Sequence, residues 1–416
     1  MDILEYIEQE WIPTLGCTEP ASIAYASIMA AKQISGKASS ITLCVDPKMY
    51  KNCHAVGIPH SGHKIGIKWA AAIGSFLTNS ELQLECFREI DEGVLEQASG
   101  LINADKVKIK IDRAKDNLFI DLEVTDGEDT GRCVIQGTHT NITRIHKDGK
   151  TMFESRAGLE VETEISARDW AASLSAPEIL EVARDLNREA RSRVRNGSEL
   201  NLKIAEYGLT LFPESFVKMT EADILTRVAG LVCAGVYARM WGEDFTVMSV
   251  AGSGNKGIVC SVPLTVLEEE RNLDPKRVEE ALALSMLFTS KTTEELGTLS
   301  AVCGCANAAG IGLACGLVYL QDGGDKEISF AINNMVGNVT GMICDGAKIG
   351  CALKTMTSVD AAFRASALAM SGIGIPFSDG IVGHTGSESL ANLGKIAKDG
   401  MTHTDDEILR IMEEKL

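Results

Sequence analysis

Hydrophobic side chains recur with two different periods along the chain, and the two periods divide it into regions of different structure. Near the N-terminus they recur every three or four residues, which predicts a short helix over residues 3–11. A second helix is expected over residues 18–32, with Thr18 as its capping residue. Residues 41–45 are typical of a strand, and residues 65–77 of a small apolar helix.

In the middle of the chain the period falls to two. Hydrophobic residues alternate with polar ones over residues 107–111 and 118–124, and the alternation continues at 133–136 and 142–145. Such alternation indicates strands with one face on a core and the other in water. We therefore predict an antiparallel sheet, and we expect a charged helix over residues 175–195 to cover it.

From residue 216 onward the pattern is almost entirely helical. Residues 217–241 are expected to form one helix, and Asp274 to cap another. The sequence thus predicts an α+β fold, with a mostly helical domain and a smaller domain in which helices cover an antiparallel sheet. The predicted segments are N-terminal helices that pack with the helical domain (1–80), the α+β domain (81–212) and the helical domain (213–416).

Composition narrows the class of protein. Of 416 residues, 45% are hydrophobic, which argues against disorder. The net charge of −18 disfavours nucleic acid as a partner. The first residues lack the pattern of a signal peptide, and the uncharged stretch 296–321 is rich in Ala and Gly, so we interpret it as a buried helix. We expect a cytoplasmic protein without a membrane partner; a homo-oligomer is compatible with the sequence.

Twelve cysteines offer candidate chemistry. Most are expected to be packed thiols, because a long cytosolic chain does not use a disulfide framework. Cys303 and Cys305 precede an Ala/Gly-rich helix, and six residues separate Cys344 from Cys351, with glycines beside each pair. No Cys-x2-Cys pair is present, which disfavours a zinc ribbon. On spacing alone, four packed thiols remain the simpler interpretation.

Cys17 stands apart because it precedes a predicted helix in the sequence Gly-Cys-Thr-Glu-Pro, residues 16–20. The N–H groups and dipole at a helix start lower the pKa of a thiol, so we expect a metal ligand, a nucleophile or a base there. A buried residue without a chemical role is the alternative.

Two further polar segments are candidates for substrate binding. Residues 252–257 match G-x-G-x-x-G, but no βαβ unit surrounds them, so a loop around a small anion or a structural turn is favoured over a dinucleotide site. Residues 137–141 place a histidine and Asn141 at the end of a predicted strand.

Together these motifs resemble the L-cysteine desulfidase family, which is related to the alpha chain of iron–sulfur L-serine dehydratases. The matching segments are residues 16–20, 252–255, 299–305 and 344–354, which keep the same order along the chain. The resemblance implies a [4Fe–4S] cluster in the helical domain and conversion of L-cysteine and water to pyruvate, ammonia and hydrogen sulfide.

The resemblance also implies roles for individual residues. The cluster ligands would be Cys303, Cys344 and Cys351, with Cys305 competing for the first position. Three thiolates leave one iron open, which can act as a Lewis acid on the leaving sulfur. Cys17 is then expected to be the base for the α-proton, or alternatively a fourth ligand that the substrate displaces. Ser253, Asn255 and Asn141 are expected to hold the substrate's carboxylate or amine.

Three other functions are compatible with the sequence. An L-serine dehydratase with the same cluster would eliminate water instead of sulfide. A pyridoxal-phosphate lyase would use a lysine such as Lys256 or Lys348, although no feature singles out either one. A cysteine-rich redox or metal-binding protein would bind ligand without turnover.

Overall fold

The computed structural model describes residues 1–115, 118–155, 165–297 and 300–415. The helices of its first half are α1 (Ile3–Glu10), α2 (Thr18–Ala31), α3 (Pro47–Cys53), α4 (Ile67–Gly74), α5 (Glu92–Asn103), α6 (Ala167–Ser173), α7 (Ala176–Arg184) and α8 (Arg188–Leu209). The helices of its second half are α9 (Glu214–Thr220), α10 (Ile224–Trp241), α11 (Gly254–Arg271), α12 (Pro275–Leu296), α13 (Gly304–Leu320), α14 (Asp325–Val339), α15 (Cys351–Met370), α16 (Gly386–Lys395) and α17 (Thr402–Glu413). A 3-10 helix spans Gln83–Glu89 and a π-helical turn spans Ile396–Gly400.

The strands form two sheets, which together with the helices confirm the α+β class. The strands are β1 (Ile12–Leu15), β2 (Ser40–Val45), β3 (Val107–Ile111), β4 (Phe119–Thr125), β5 (Thr130–Gln136), β6 (Ile142–Lys147), β7 (Lys150–Glu154) and β8 (Thr246–Ser249). A small antiparallel sheet pairs β1 with β8, and the large sheet has the order β3-β2-β4-β5-β6-β7.

The large sheet is mixed rather than purely antiparallel, which corrects the sequence-based expectation. β2 pairs with β3 in parallel, whereas the other neighbouring strands are antiparallel. The connection from β2 to β3 runs through α3, α4 and α5, which is long enough for the crossover that a parallel pair needs. Alternation along single strands cannot report this, because it shows which face is buried and not which way a neighbour runs.

Two buried cores organise the chain. The sheet core joins one face of the large sheet to α2, α4 and α5, and includes Ile23, Ile28 and Leu43. The helical core gathers α1, α6 to α8 and most of α10 to α16. The N-terminal helices therefore divide between the cores, and α17 returns to the sheet core with Ile408 and Leu409. The three domain segments drawn from the sequence stay a prediction.

The charged segment expected to cover the sheet lies elsewhere. It forms two helices, α7 and α8, and both pack in the helical core, α8 mainly against α10 and α11. The arginines of α8 explain this position, since Arg191 and Arg195 both pair with Glu279 of α12. The expectation was wrong because these charges bind acidic partners on other helices rather than facing water.

The structure corrects one further helix prediction and confirms another. Residues 217–241 form two helices instead of one, because Asp223 caps α10 through its bond to the Thr226 N–H. In the described residues α10 is the one helix long and apolar enough to cross a membrane, yet 67% of it is buried in the protein. The uncharged stretch 296–321 contains the buried helix α13.

A glycine contact between α4 and α2 gives a test of this packing. A Cβ on Gly74 would lie 2.6 Å from the Ala24 Cα, so Gly74→Ala should destabilise the sheet core by about 1–3 kcal/mol. Gly100 in α5 of the same core meets nothing within 4 Å, and Gly100→Ala should stabilise by about 0.5–1 kcal/mol. Thermal unfolding midpoints check both, and equal shifts would contradict the packing described.

Candidate active site

The cysteines of the two distant pairs are joined through their backbones. Val302 and Ile343 form an antiparallel bridge, the Cys303 N–H donates to the Met342 carbonyl at 2.8 Å, and the Cys344 N–H donates to the Ala301 carbonyl at 2.7 Å. This bridge places Cys344 beside the start of α13. Position 299, part of the motif that carried the resemblance, lies outside the described residues.

The four thiols influence one another. A hydrogen bond between Cys303 and Cys305 raises the pKa of Cys303 well above its usual range, and burial, Cys344 and Cys351 raise it further. The same bond lowers the pKa of Cys305 to about 6, assisted by Lys256. Cys351 is buried at the start of α15, where burial raises its pKa to about 12. The structure thus assembles Cys303, Cys305, Cys344 and Cys351, which we call the cysteine group.

Four helices begin at or beside this group, and none has a side-chain cap. The N-caps of α2, α11, α13 and α15 are Cys17, Ser253, Cys303 and Gly350, and none of their side chains accepts a bond from the first turn. Several helices elsewhere, such as α1, α5, α8 and α10, are capped by Asp or Asn, whereas α4, α9 and α17 also lack a side-chain cap. Uncapped first-turn N–H groups and the helix dipole favour a bound anion.

Cys17 joins the site through Arg239. The Arg239 guanidinium donates to the Gly16 carbonyl at 2.5 Å and to Asn255 Oδ1 at 2.9 Å, and it also bonds the Cys17 thiol. Burial raises the pKa of Cys17 to about 11, although Arg239 acts in the opposite direction. The lowered pKa expected for a thiol at a helix start is wrong here, because burial raises the pKa of Cys17 by more than Arg239 lowers it.

Two buried cations flank the site. Arg239 and Lys256 are each 4% exposed, and within the described ranges no carboxylate oxygen lies within 4.0 Å of either. The Lys256 ammonium donates to the Ala251 carbonyl at 3.2 Å and to Thr293 Oγ1 at 3.0 Å, and burial lowers its pKa to about 8. A buried positive charge requires a nearby anion, and the Cys305 thiol, whose pKa is lowered to about 6, can supply one.

These residues fit an iron–sulfur cluster better than a single ion. In the part of the chain that the structure describes, no three His, Cys, Asp or Glu side chains converge on one metal position. A four-iron cluster takes its thiolates on separate iron atoms, so the ligands need not converge on one point. The donor type and the two buried cations agree with an anionic group of this kind.

The residues expected to bind substrate differ in position. Ser253 Oγ lies 3.6 Å from Cys305 Sγ, directly at the cysteine group. Asn255 is buried, and its amide accepts from Arg239 and donates to Met240 Sδ at 3.5 Å. Asn141 is exposed and donates to the Gln136 carbonyl in its own turn at 2.8 Å. The structure therefore brings Ser253 and Asn255 to the site, and no described contact joins Asn141 to it.

Sequence reasoning missed Arg239 altogether. A signal was present, because Arg239 is the single charged residue in the apolar stretch 228–241 that forms the buried part of α10. A lone charge in such a helix indicates a partner that the helix itself does not provide. Lys256 was considered only as a Schiff-base lysine.

Comparison with known proteins decides the family. A family model described as the serine dehydratase alpha chain matches residues 135–410. The chain belongs to the serine dehydratase alpha-chain family. The matched stretch contains Arg239, Lys256 and all four members of the cysteine group, whereas Cys17 precedes it. The predicted relation to serine dehydratases is confirmed at this level.

Relatives of full length extend the match to the whole chain. A UPF0597 protein of Geobacter sulfurreducens is 35% identical over 419 residues, covering 99% of this chain and 98% of its own. UPF0597 proteins of Caldanaerobacter subterraneus and Clostridium botulinum are 36% and 34% identical, covering 97% and 99% of this chain and 96% and 98% of their own. The similarity therefore includes the N-terminal segment that carries Cys17.

Thiol reactivity tests the environment of the cysteine group. Cys305 and Cys44 are both partly exposed, but the pKa of Cys305 is lowered to about 6 whereas burial raises that of Cys44. In iron-free, reduced protein at pH 7, iodoacetamide should modify Cys305 on the order of tenfold faster than Cys44. The rate at Cys305 should rise from pH 5 to 7 and then level. Mass spectrometry of quenched samples measures both rates, and faster modification of Cys44 would contradict the arrangement.

Proposed function

We propose that this protein is an L-cysteine desulfidase that uses a [4Fe–4S] cluster to eliminate sulfide from L-cysteine. The observation that carries the proposal is the cysteine group beside Cys17, with two buried cations that have no carboxylate partner among the described residues. Membership of a dehydratase family supports a lyase reaction. Cytoplasmic location stays an expectation.

Cys303, Cys344 and Cys351 are the proposed cluster ligands. The backbone bridge at Val302 and Ile343 fixes Cys303 relative to Cys344, which supports their use as a pair. When bound, the cluster would supply a Lewis acid for the leaving sulfur. Cys305, next to Cys303, stays the competing ligand, and its bond to Ser253 gives it a second possible role in holding substrate.

The chain's own residues would handle the α-proton. Cys17 would take this proton in its thiolate form, which the hydrogen bond from Arg239 favours although burial favours the thiol. The electron pair of the Cα–H bond then forms the Cα=Cβ bond, and the C–S bond breaks to release sulfide. The aminoacrylate product rearranges and hydrolyses to pyruvate and ammonia. Ser253 is proposed to hold the substrate, and Asn255 to act by fixing Arg239. The same role for Asn141 stays a prediction, because its described contact is with its own turn.

The second candidate is an L-serine dehydratase, which the family match favours. Its elimination would need the same base and the same cations, but the leaving group would be a hydroxyl. We prefer cysteine because its sulfur is a soft ligand for iron. The substrate preference therefore decides between the two activities.

Steady-state assays of anaerobically purified protein test the proposal. We expect the protein to contain iron and acid-labile sulfide and to release sulfide from L-cysteine. Its kcat/KM for L-cysteine should exceed that for L-serine by about tenfold or more, because the substrates differ only in the leaving atom and sulfur is the softer ligand for iron. An equal or larger kcat/KM for L-serine would assign the dehydratase activity instead.

Variants in one cysteine each give the matched control for this test. Cys344→Ala should abolish both iron binding and turnover. Cys315→Ala, on the same helix as Cys305 but buried in the helical core, should keep both. Comparing Cys303→Ala with Cys305→Ala identifies the first ligand, since only the ligand's loss should remove iron. Full iron content in Cys344→Ala would refute the ligand assignment.

The role of Cys17 has its own test. If Cys17 is the base, Cys17→Ala should retain the cluster and lower kcat by about 10²–10⁴-fold, the usual contribution of a general base. Iron content and kcat are measured on the same preparation. Loss of iron in this variant would instead identify Cys17 as the fourth ligand, and full activity would exclude both roles.

A further inference from the structure

Glu19 is a carboxylate at the site that has no cation partner among the described residues. It is the second residue of α2, two positions after Cys17. Thr18 Oγ1 and Asn52 Nδ2 each donate to its oxygens at 3.2 Å, and neither donor is charged. No lysine, arginine or histidine nitrogen in the described ranges lies within 4.0 Å of it. The proposed reaction has so far left this residue without a role.

The negative charge of Glu19 affects the titration of Cys17 and of two neighbouring residues. Its carboxylate raises the pKa of Cys17 and of Cys53, and it opposes the burial that lowers the pKa of His139. His139 does not supply the missing cation, because burial keeps its imidazole neutral near pH 7, and its Nε2 is buried without a partner. Because Glu19 has only neutral donors and stands two residues from Cys17, a cationic group of the substrate could bind to it there.

Arg239 places a positive charge beside Cys17, the residue that Glu19 also affects. Its guanidinium bonds the Cys17 thiol, and its Nε is buried without an acceptor. Glu19 and Arg239 do not pair with each other, since Asn52 holds the carboxylate while Gly16 and Asn255 hold the guanidinium. A negative and a positive charge therefore stand beside Cys17 without neutralising each other. Together they match a zwitterion, whose ammonium group would bind the carboxylate and whose carboxylate would bind the guanidinium.

We propose that Glu19 binds the α-ammonium group of the substrate and Arg239 its α-carboxylate, so that the α-carbon lies at Cys17. The inference rests on the proposed function and assigns the two residues that would orient its substrate. Because both charges are needed, thiols that lack the amino group, such as 3-mercaptopropionate, would lose the contact with Glu19. Thiols that lack the carboxylate, such as cysteamine, would lose the contact with Arg239.

The Glu19→Gln variant tests the assignment, because it removes the charge and keeps the shape. The KM for L-cysteine should rise about ten- to hundredfold, as expected for loss of a hydrogen bond between charged groups. The inhibition constant of 3-mercaptopropionate should change less than twofold, since that ligand has no ammonium group. The matched control is Glu81→Gln, which neutralises an exposed glutamate of the sheet-containing half and should change neither constant. Equal weakening of both ligands, or an unchanged KM for L-cysteine, would overturn the proposal.

A binding measurement separates this inference from the proposed function. L-Alanine has both charged groups but no leaving group, and propionate lacks the ammonium. In iron-free protein, calorimetry should detect L-alanine binding that Glu19→Gln weakens about ten- to hundredfold, and propionate binding that it leaves unchanged. This result would support the zwitterion site even if L-cysteine were not turned over. Failure of L-alanine to bind wild-type protein more tightly than propionate would refute the site while leaving the desulfidase assay to decide the reaction.

Discussion

A positive charge buried away from water requires a compensating anion, and much of this site follows from that constraint. Arg239 and Lys256 are almost fully buried without a carboxylate partner in the described residues, which would be costly unless negative charge gathered around them. The cysteine group and the four uncapped helix starts are the features that can compensate this buried positive charge. The Cys305 thiol, whose pKa is lowered to about 6, supplies negative charge, and the helix starts favour an anion through N–H groups that no side chain caps. The same cations would thus favour the anionic cluster proposed for this site.

The fold satisfies this constraint with residues from distant parts of the sequence. The short bridge between Val302 and Ile343 aligns two cysteine-bearing segments that are about 40 residues apart, and Arg239 links the loop before α2 to the start of α11. Cys17 belongs to the helical core, whereas the helix that it caps packs on the sheet. The site therefore lies where the two cores meet. Both surfaces must be in place for the opposite charges to face one substrate.

Sequence reasoning succeeded where a local pattern reports the structure. Alternation located the strands, because each strand buries one face, and the cysteine spacing together with the family resemblance selected Cys303 and Cys344 for attention. It failed where a residue distant in the sequence determines the position of a helix or the pKa of a side chain. The charged helix α8 has the pattern of a solvated surface, but Glu279 lies opposite its arginines. Likewise the position of Cys17 at a helix start indicates a lowered pKa, and only burial by other segments reverses that shift. The parallel pairing of β2 with β3 depends on topology, which alternation does not encode.

The return of α17 to the sheet core has a consequence for the position of the cysteine loop. Its Asp405 pairs with the buried Lys51 of α3 at 2.5 Å, so α17 supplies the counter-charge for a helix from a distant part of the sequence. The carbonyl carbon of Lys51 would lie 2.8 Å from a Cβ at Gly346, within the loop that joins Cys344 to Cys351. Through Lys51, the position of α17 is therefore coupled to that of the loop that joins Cys344 to Cys351. A shift of α17 would move the backbone against which this loop packs, although the two segments are far apart in the sequence.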